Sequence, residues 1–139
     1  MAQREFIDSE KLLPTRQRFG YSQAVKVGGT VYLAGQNATD KSGAVRHKRD
    51  FIGQLEMTLQ NIRNVLETAG GEMQDVVRMT MFCRNLLDLG GAMPLYQQYF
   101  GDHRPAMTAV EVVQLWNPHL LLEIEAVAVI GAPQTIIGA

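Results

Sequence analysis

Two carboxylates near the end of the chain, Glu123 and Glu125, stand where carboxylates are seldom left alone. Read at period two, Leu120, Leu122, Ile124, Ala126, Ala128 and Ile130 make one wholly apolar strand face. The opposite face carries Glu123 and Glu125, then continues into Val127 and Val129. A solvated face would not normally add two aliphatics, so this strand is expected to be covered on both sides. An unpaired carboxylate under cover is costly, so the pair calls for partners or a ligand. The other chemistry-bearing side chains form no such constellation. His103 and His119 have no partner ligands at metal-binding spacing, and His47 sits in the basic run Arg46-His47-Lys48-Arg49, read as a solvated loop. Cys83, the single cysteine, lies in an apolar run and reads as a buried small hydrophobe.

The elements that must position the glutamates follow from patterning. With 139 residues the chain makes one domain with a real core, and 46% hydrophobic against 19% charged residues is ordinary for a globular protein. A net charge of -1 gives no electrostatic reason to expect nucleic acid. A lone cysteine suits a reducing compartment. The opening Met1-Ala2-Gln3-Arg4-Glu5 lacks the apolar run of a signal or membrane span, so a cytoplasmic protein is expected.

A short first strand is expected at Phe6 and Ile7, and a loop over residues 12–20. Strands over 21–27 and 30–35 flank Gly28-Gly29, a pair suited to positive φ at both centres of a hairpin turn. Residues 37–48 read as a loop with Gly43 at its tip. Asp50 is a candidate N-cap for a helix carrying Phe51, Leu55, Leu59, Ile62, Leu66 and Ala69, which Gly70-Gly71 ends. A strand over 76–84 precedes a second helix over roughly 89–100, with Pro94, a residue suited to a first turn, as its alternative start. Strands over 106–113 and 120–130 follow, joined by a turn at Trp116-Asn117-Pro118. This order predicts an α+β domain, one sheet with two helices on one face. The second face then needs a cover, and another copy of the chain is the simplest one.

Several stretches together resemble a known family. They are Tyr21-Ser22-Gln23-Ala24-Val25 before the glycine hairpin, Ala34-Gly35-Gln36 after it, residues 61–70, 76–82 and 96–101, Pro105-Ala106, and residues 123–129. In this order they resemble the reactive intermediate deaminase (Rid) superfamily, also called YjgF or L-PSP endoribonuclease-like, over nearly the whole chain. The resemblance implies a chorismate-mutase-like α+β fold, a mixed sheet assembled as a homotrimer, and small-molecule clefts between subunits. Active members of that family hydrolyse enamines and imines, such as 2-aminoacrylate, to a 2-keto acid and ammonia without metal or organic cofactor. An arginine there pairs with the substrate carboxylate, and a glutamate activates the attacking water.

Carried over residue by residue, the resemblance implies that Tyr21 is the pocket tyrosine, Gly35 the glycine of the turn, and Glu123 the water-activating glutamate. Glu125 is read as structural. The essential departure is Met107: active deaminases read Pro-Ala-Arg-Ser where this chain reads Pro-Ala-Met-Thr. Methionine carries neither charge nor donor, so the carboxylate anchor is missing at that position. Met107 is expected to wall the pocket instead, with Arg104, Arg16 and Arg18 as candidate replacement anchors. Phe19-Gly20 also stands where Gly-Pro is usual, and Ala109 where many members have cysteine. Three functions therefore compete. They are a Rid-type hydrolase for an imine other than 2-aminoacrylate, a non-catalytic trimeric module binding a ligand or partner, and a ribonuclease or translation inhibitor. The last lacks a basic face, paired histidines and, in the sequence, an aromatic stacking platform. No nucleic acid, membrane, metal or cofactor is expected as a partner.

Overall fold

A computed structural model of the chain describes residues 3–138; the first two residues of the N-terminal run read above lie outside them. The strands are β1 (Arg4–Ile7), β2 (Ala24–Val27), β3 (Thr30–Gln36), β4 (Val76–Cys83), β5 (Ala106–Glu111) and β6 (Leu122–Val129). The helices are α1 (Thr15–Phe19), α2 (Phe51–Thr68) and α3 (Met93–Phe100). All six strands join one sheet in the order β1-β2-β3-β6-β4-β5. Its one parallel pair is β4 with β5; the other pairs are antiparallel. Parallel neighbours need a crossover, which α3 provides. The result is one mixed sheet in an α+β domain.

The last strand in sequence is inserted at the centre of the sheet, between β3 and β4. That position accounts for its apolar face: Leu122, Ile124 and Ala128 are fully buried and Ala126 nearly so. They meet Leu55, Leu59, Ile62, Val65 and Leu66 of α2, all at 0% exposure. Fully burying each such side chain is worth about 1.5–3 kcal/mol, so this layer dominates the core. The ends of α2 follow from its sequence. The Asp50 carboxylate accepts from the Gly53 N–H at 3.0 Å. At the other end Gly70, at φ 88°, lets the chain turn back. Leu95, Tyr99 and Phe100 of α3 complete the same core, so α2 and α3 cover one face.

Two local readings need correction, and the second helix takes the later of its two expected starts, beside Pro94. Residues 15–19, read as loop, form the short helix α1, bounded by Pro14 before it and by Gly20 at φ 77° after it. In the β2–β3 hairpin only Gly28 has positive φ, so the turn does not need both glycines. Residues ahead of Pro94 adopt a 3-10 turn, Leu86–Gly91, and α3 begins at Met93. Strand ends are also shorter than expected, with β2 starting at Ala24, β5 ending at Glu111 and β6 beginning at Leu122.

The second face of the sheet is open within one chain. Glu125 is exposed, Val127 and Val129 are half-buried, and Tyr32 beside them is 54% exposed.

Candidate functional site

The site begins with an irregularity in the central pairing. Leu33 pairs with Ala126, but the next partners are Gln36 and Ile124. Strand β3 thus spends one residue more than β6, a bulge at Ala34 and Gly35. The Ala34 N–H points to β2 and donates to the Gln23 carbonyl at 2.9 Å. Gly35 is left against the Glu123 side chain. A Cβ built at Gly35 would overlap a carboxylate oxygen of Glu123 and lie 2.8 Å from its Cδ. Only a glycine leaves the carboxylate where it is.

Helix α2 fixes the other side. Asn61 Nδ2 donates to the Asn37 carbonyl at 2.9 Å and to that of Thr39 at 3.4 Å. The Thr39 hydroxyl donates to Asn37 Oδ1 at 2.5 Å, which turns the Asn37 amide nitrogen toward Glu123. Asn37 Nδ2 then donates to Glu123 Oε2 at 3.4 Å. Burial raises the Glu123 pKa above its ordinary value; the Asn37 hydrogen bond opposes that rise and the negative charge of Glu125 adds to it. Desolvation of the charged form is therefore the decisive effect. Tyr21 is pushed up as well, by burial first and by the Glu123 charge second.

Gly35 and Asn37 line a cavity of about 280 Å³, together with Tyr21, Phe19, Leu12, Leu13 and Trp116. Its floor is held by Gln23, which is 1% exposed. Gln23 Oε1 accepts from Ser9 N at 2.7 Å and its Nε2 donates to the Leu13 carbonyl at 3.1 Å. These bonds fix residues 9–13 as a wall.

Of the residues singled out from sequence, Tyr21 and Gly35 line the cavity, and Glu123 adjoins it through its contacts with Gly35 and Asn37 without lining it. Met107 and Arg104 do neither. Met107 pairs with Met79, a core residue, so it sits on the helix-bearing face at the β5 edge, 38% exposed. Arg104 donates to the carbonyls of Gly101 and His103 and to Gln97 Oε1, beyond the end of α3. Arg16 is paired with Asp8 at 2.6 Å and lies over the Phe6 ring. Arg18 donates to the Ser42 carbonyl at 3.3 Å. None of these arginines lines the cavity. Cys83 is buried, its thiol pushed up chiefly by burial. Among the described residues no group of His, Cys, Asp and Glu is placed to hold a metal. Nor is any described helix long and apolar enough to cross a membrane.

Asn37, Asn61 and Trp116 went unassigned in the sequence reading. Asn37 directly follows the Ala34-Gly35-Gln36 turn, which was the available signal. Trp116, in an irregular loop, offered none.

A single mixed sheet covered on one face by two helices, with a bulge glycine against a half-buried glutamate beside a cavity, defines the chain as an α+β domain. The Endoribonuclease L-PSP family model matches residues 15–130, and the chain belongs to that family, within the Rid/YjgF superfamily. It is 39% identical to a RutC family protein of Pyrococcus abyssi over 78% of this chain and 84% of that one. It is 35% identical to the 2-iminobutanoate/2-iminopropanoate deaminase of Salmonella typhimurium, over 78% and 86% of the two chains. The crystal structure of RidA from an Antarctic Psychrobacter superposes with a TM-score of 0.82 at 32% identity, covering 91% of this chain and 99% of that one.

Proposed function

We propose that this chain hydrolyses an imine or enamine other than 2-aminoacrylate, with Glu123 activating the attacking water. The observation that carries the reading is the Glu123 carboxylate, held against Gly35 by the β3 bulge and hydrogen-bonded by Asn37 beside the cavity. A carboxylate whose pKa is raised by burial is a better proton acceptor near neutrality than an ordinary one. An enamine first takes a proton at its β-carbon to become the imine. Water then adds to the C=N carbon as Glu123 takes its proton and returns it to nitrogen, giving the carbinolamine. A further proton from solvent on nitrogen lets ammonia leave as the hydroxyl proton passes to Glu123, and the carbonyl product remains. The Salmonella relative's name supports this chemistry.

Met107 lies outside the cavity of its own chain, so the missing guanidinium bears on the substrate only where a neighbouring subunit brings its β5 edge to the cleft, and a small anionic imine then lacks its bidentate partner. The clefts are proposed to lie between the subunits of a homotrimer. The apolar residues Tyr32, Val127 and Val129 on the open sheet face favour such a cover. A buried free cysteine suits the cytoplasm as its compartment.

The test generates imines in solution with an amino-acid oxidase, and 2-aminoacrylate with a serine dehydratase, then follows their decay with and without the protein. At least one imine should decay faster than it does spontaneously, and 2-aminoacrylate should be among the poorest. Sedimentation equilibrium should give three times the chain mass. If small carboxylates and amides bind but no imine is consumed, the chain is a binding module, the reading that Met107 favours. Met107→Arg should tighten binding of 2-oxobutanoate by about tenfold, measured by calorimetry, the scale of one charge-assisted contact. The gain shrinks if the new arginine pairs with Glu123.

A further inference from the structure

Three aromatic side chains from separate segments converge at the cavity: Phe19 at the end of α1, Tyr21 before β2, and Trp116 in the loop between β5 and β6. Phe19 and Tyr21 stack with centroids 6.4 Å apart and planes at 22°. Phe19 and Trp116 are 6.5 Å apart and tilted by 51°. The arrangement is built into the chain. Gly20, at φ 77°, reverses the backbone so that its two aromatic neighbours lie side by side. The Thr15 hydroxyl donates to the Tyr21 carbonyl at 2.8 Å and ties the turn to α1.

All three rings are about half exposed, at 54%, 47% and 56%. Contiguous exposed rings of this kind mark a surface that gains by being covered. No lysine or arginine lines the cavity beside them. Its volume of about 280 Å³ exceeds the roughly 150 Å³ of an apolar cavity that holds benzene. Room therefore remains for a short reacting chain that reaches toward Glu123.

We propose that Phe19, Tyr21 and Trp116 form a subsite for a flat aromatic substituent, so that the chain selects aryl-bearing ligands over small alkyl ones. The inference rests on the proposed function only for where the reacting group lies. Ring binding is measured without catalysis. The rings would hold the substituent by stacking and tilted contacts, and Leu12 and Leu13 would supply the apolar wall behind it.

Trp116 is the only tryptophan, so its fluorescence reports directly on this subsite. The wild-type protein is titrated with 3-phenylpropanoate and 3-phenylpropanamide, and with propanoate and propanamide as ring-less controls. The phenyl probes should change the emission and saturate at concentrations at least tenfold lower than the controls. Phe19→Ala, read by fluorescence, and Trp116→Ala, read by calorimetry, should each reduce the phenyl-over-alkyl preference about tenfold. Equal affinities for phenyl and alkyl probes would overturn the subsite. So would variants that lower the assembled mass in sedimentation yet keep the phenyl preference, since the rings would then be a contact between copies. Imine hydrolysis without an aryl preference overturns this inference and leaves the enzymatic reading standing. Phenyl binding with no imine consumed does the reverse.

Discussion

Glu123 and Glu125 are the same residue type, two positions apart on the same face of the same strand, yet their surroundings differ. Glu125 pairs across the sheet with Thr80 and lies exposed in a shallow hollow with Tyr32, Arg78 and Val127. Glu123 pairs with Phe82 and is half-buried against the bulge glycine Gly35, with Asn37 as its one side-chain donor among the described residues. Burial raises the pKa of Glu123. The difference comes from the neighbouring strand, where one extra residue in β3 moves Gly35 against one carboxylate and leaves the other in the open. Register across the sheet, more than residue type, makes a carboxylate a candidate base.

The largest effect should come from neutralising the distinguished member. Glu123→Gln keeps the shape and removes the proton acceptor, so imine turnover should fall by roughly 10²–10⁴, the usual share of a general base. Stability should respond in the opposite sense. A glutamate whose folded pKa is raised binds more protons folded than unfolded. Stability therefore falls as pH rises from the ordinary glutamate range through the raised value. The glutamine variant lacks that fall. Chemical denaturation from acid to neutral pH should show a flatter profile for it, and a steeper one would remove Glu123 from its desolvated place.

Next in size is Gly35→Ala. The added methyl takes the space of the Glu123 carboxylate, a flexible group that can swing aside. The fold should survive and turnover should drop by about ten- to a hundredfold, the range for a displaced catalytic group. Wild-type turnover in this variant, with Glu123 still required, would show that the bulge does not position the carboxylate.

How much of this contrast was legible in the chain follows from the range of each cause. The apolar face of β6 was readable because its alternation is regular, whereas its place at the centre of the sheet depends on pairings with distant strands that no local pattern encodes. Helix α2 was readable from Asp50, the spacing of Leu55, Leu59 and Ile62, and the glycine pair. Helix α1 was not: its five residues carry no apolar period, and only Pro14 and Gly20 delimit it. Glu123 and Tyr21 were singled out through the resemblance, but the bulge that separates Glu123 from Glu125 depends on how residues 33–36 align with residues 124–126. No local pattern encodes a register between strands so far apart in sequence. The same holds for Trp116, which reaches the cavity from an irregular loop, and for Asn61, which faces the site from a helix whose period announces only its apolar side.

Smaller shifts in opposite directions should sharpen the comparison further. Asn37 donates to Glu123 and so favours its ionised form. Asn37→Ala should raise the Glu123 pKa further and move the acid limb of the pH–rate profile to higher pH. Turnover at neutral pH should fall several-fold, as expected for one hydrogen bond to a charged group.

Glu125→Gln is the smallest change expected. Glu125 acts on its neighbour only through charge, as the least of the three causes that set the Glu123 pKa. Removing that charge makes the ionised form of Glu123 easier to reach, so its pKa should fall slightly. If Glu123 must be ionised to accept a proton from water, the acid limb moves to lower pH, opposite to the Asn37 variant. Plateau turnover should stay within about twofold. Raising the ionic strength should mimic part of the shift, because a charge exposed to solvent is screened over a Debye length of about 8–10 Å. A pH–rate profile taken with each variant decides between the two glutamates. A large loss of plateau turnover in Glu125→Gln, or an acid limb that moves to higher pH, would mean that the exposed carboxylate shares the chemistry assigned to Glu123.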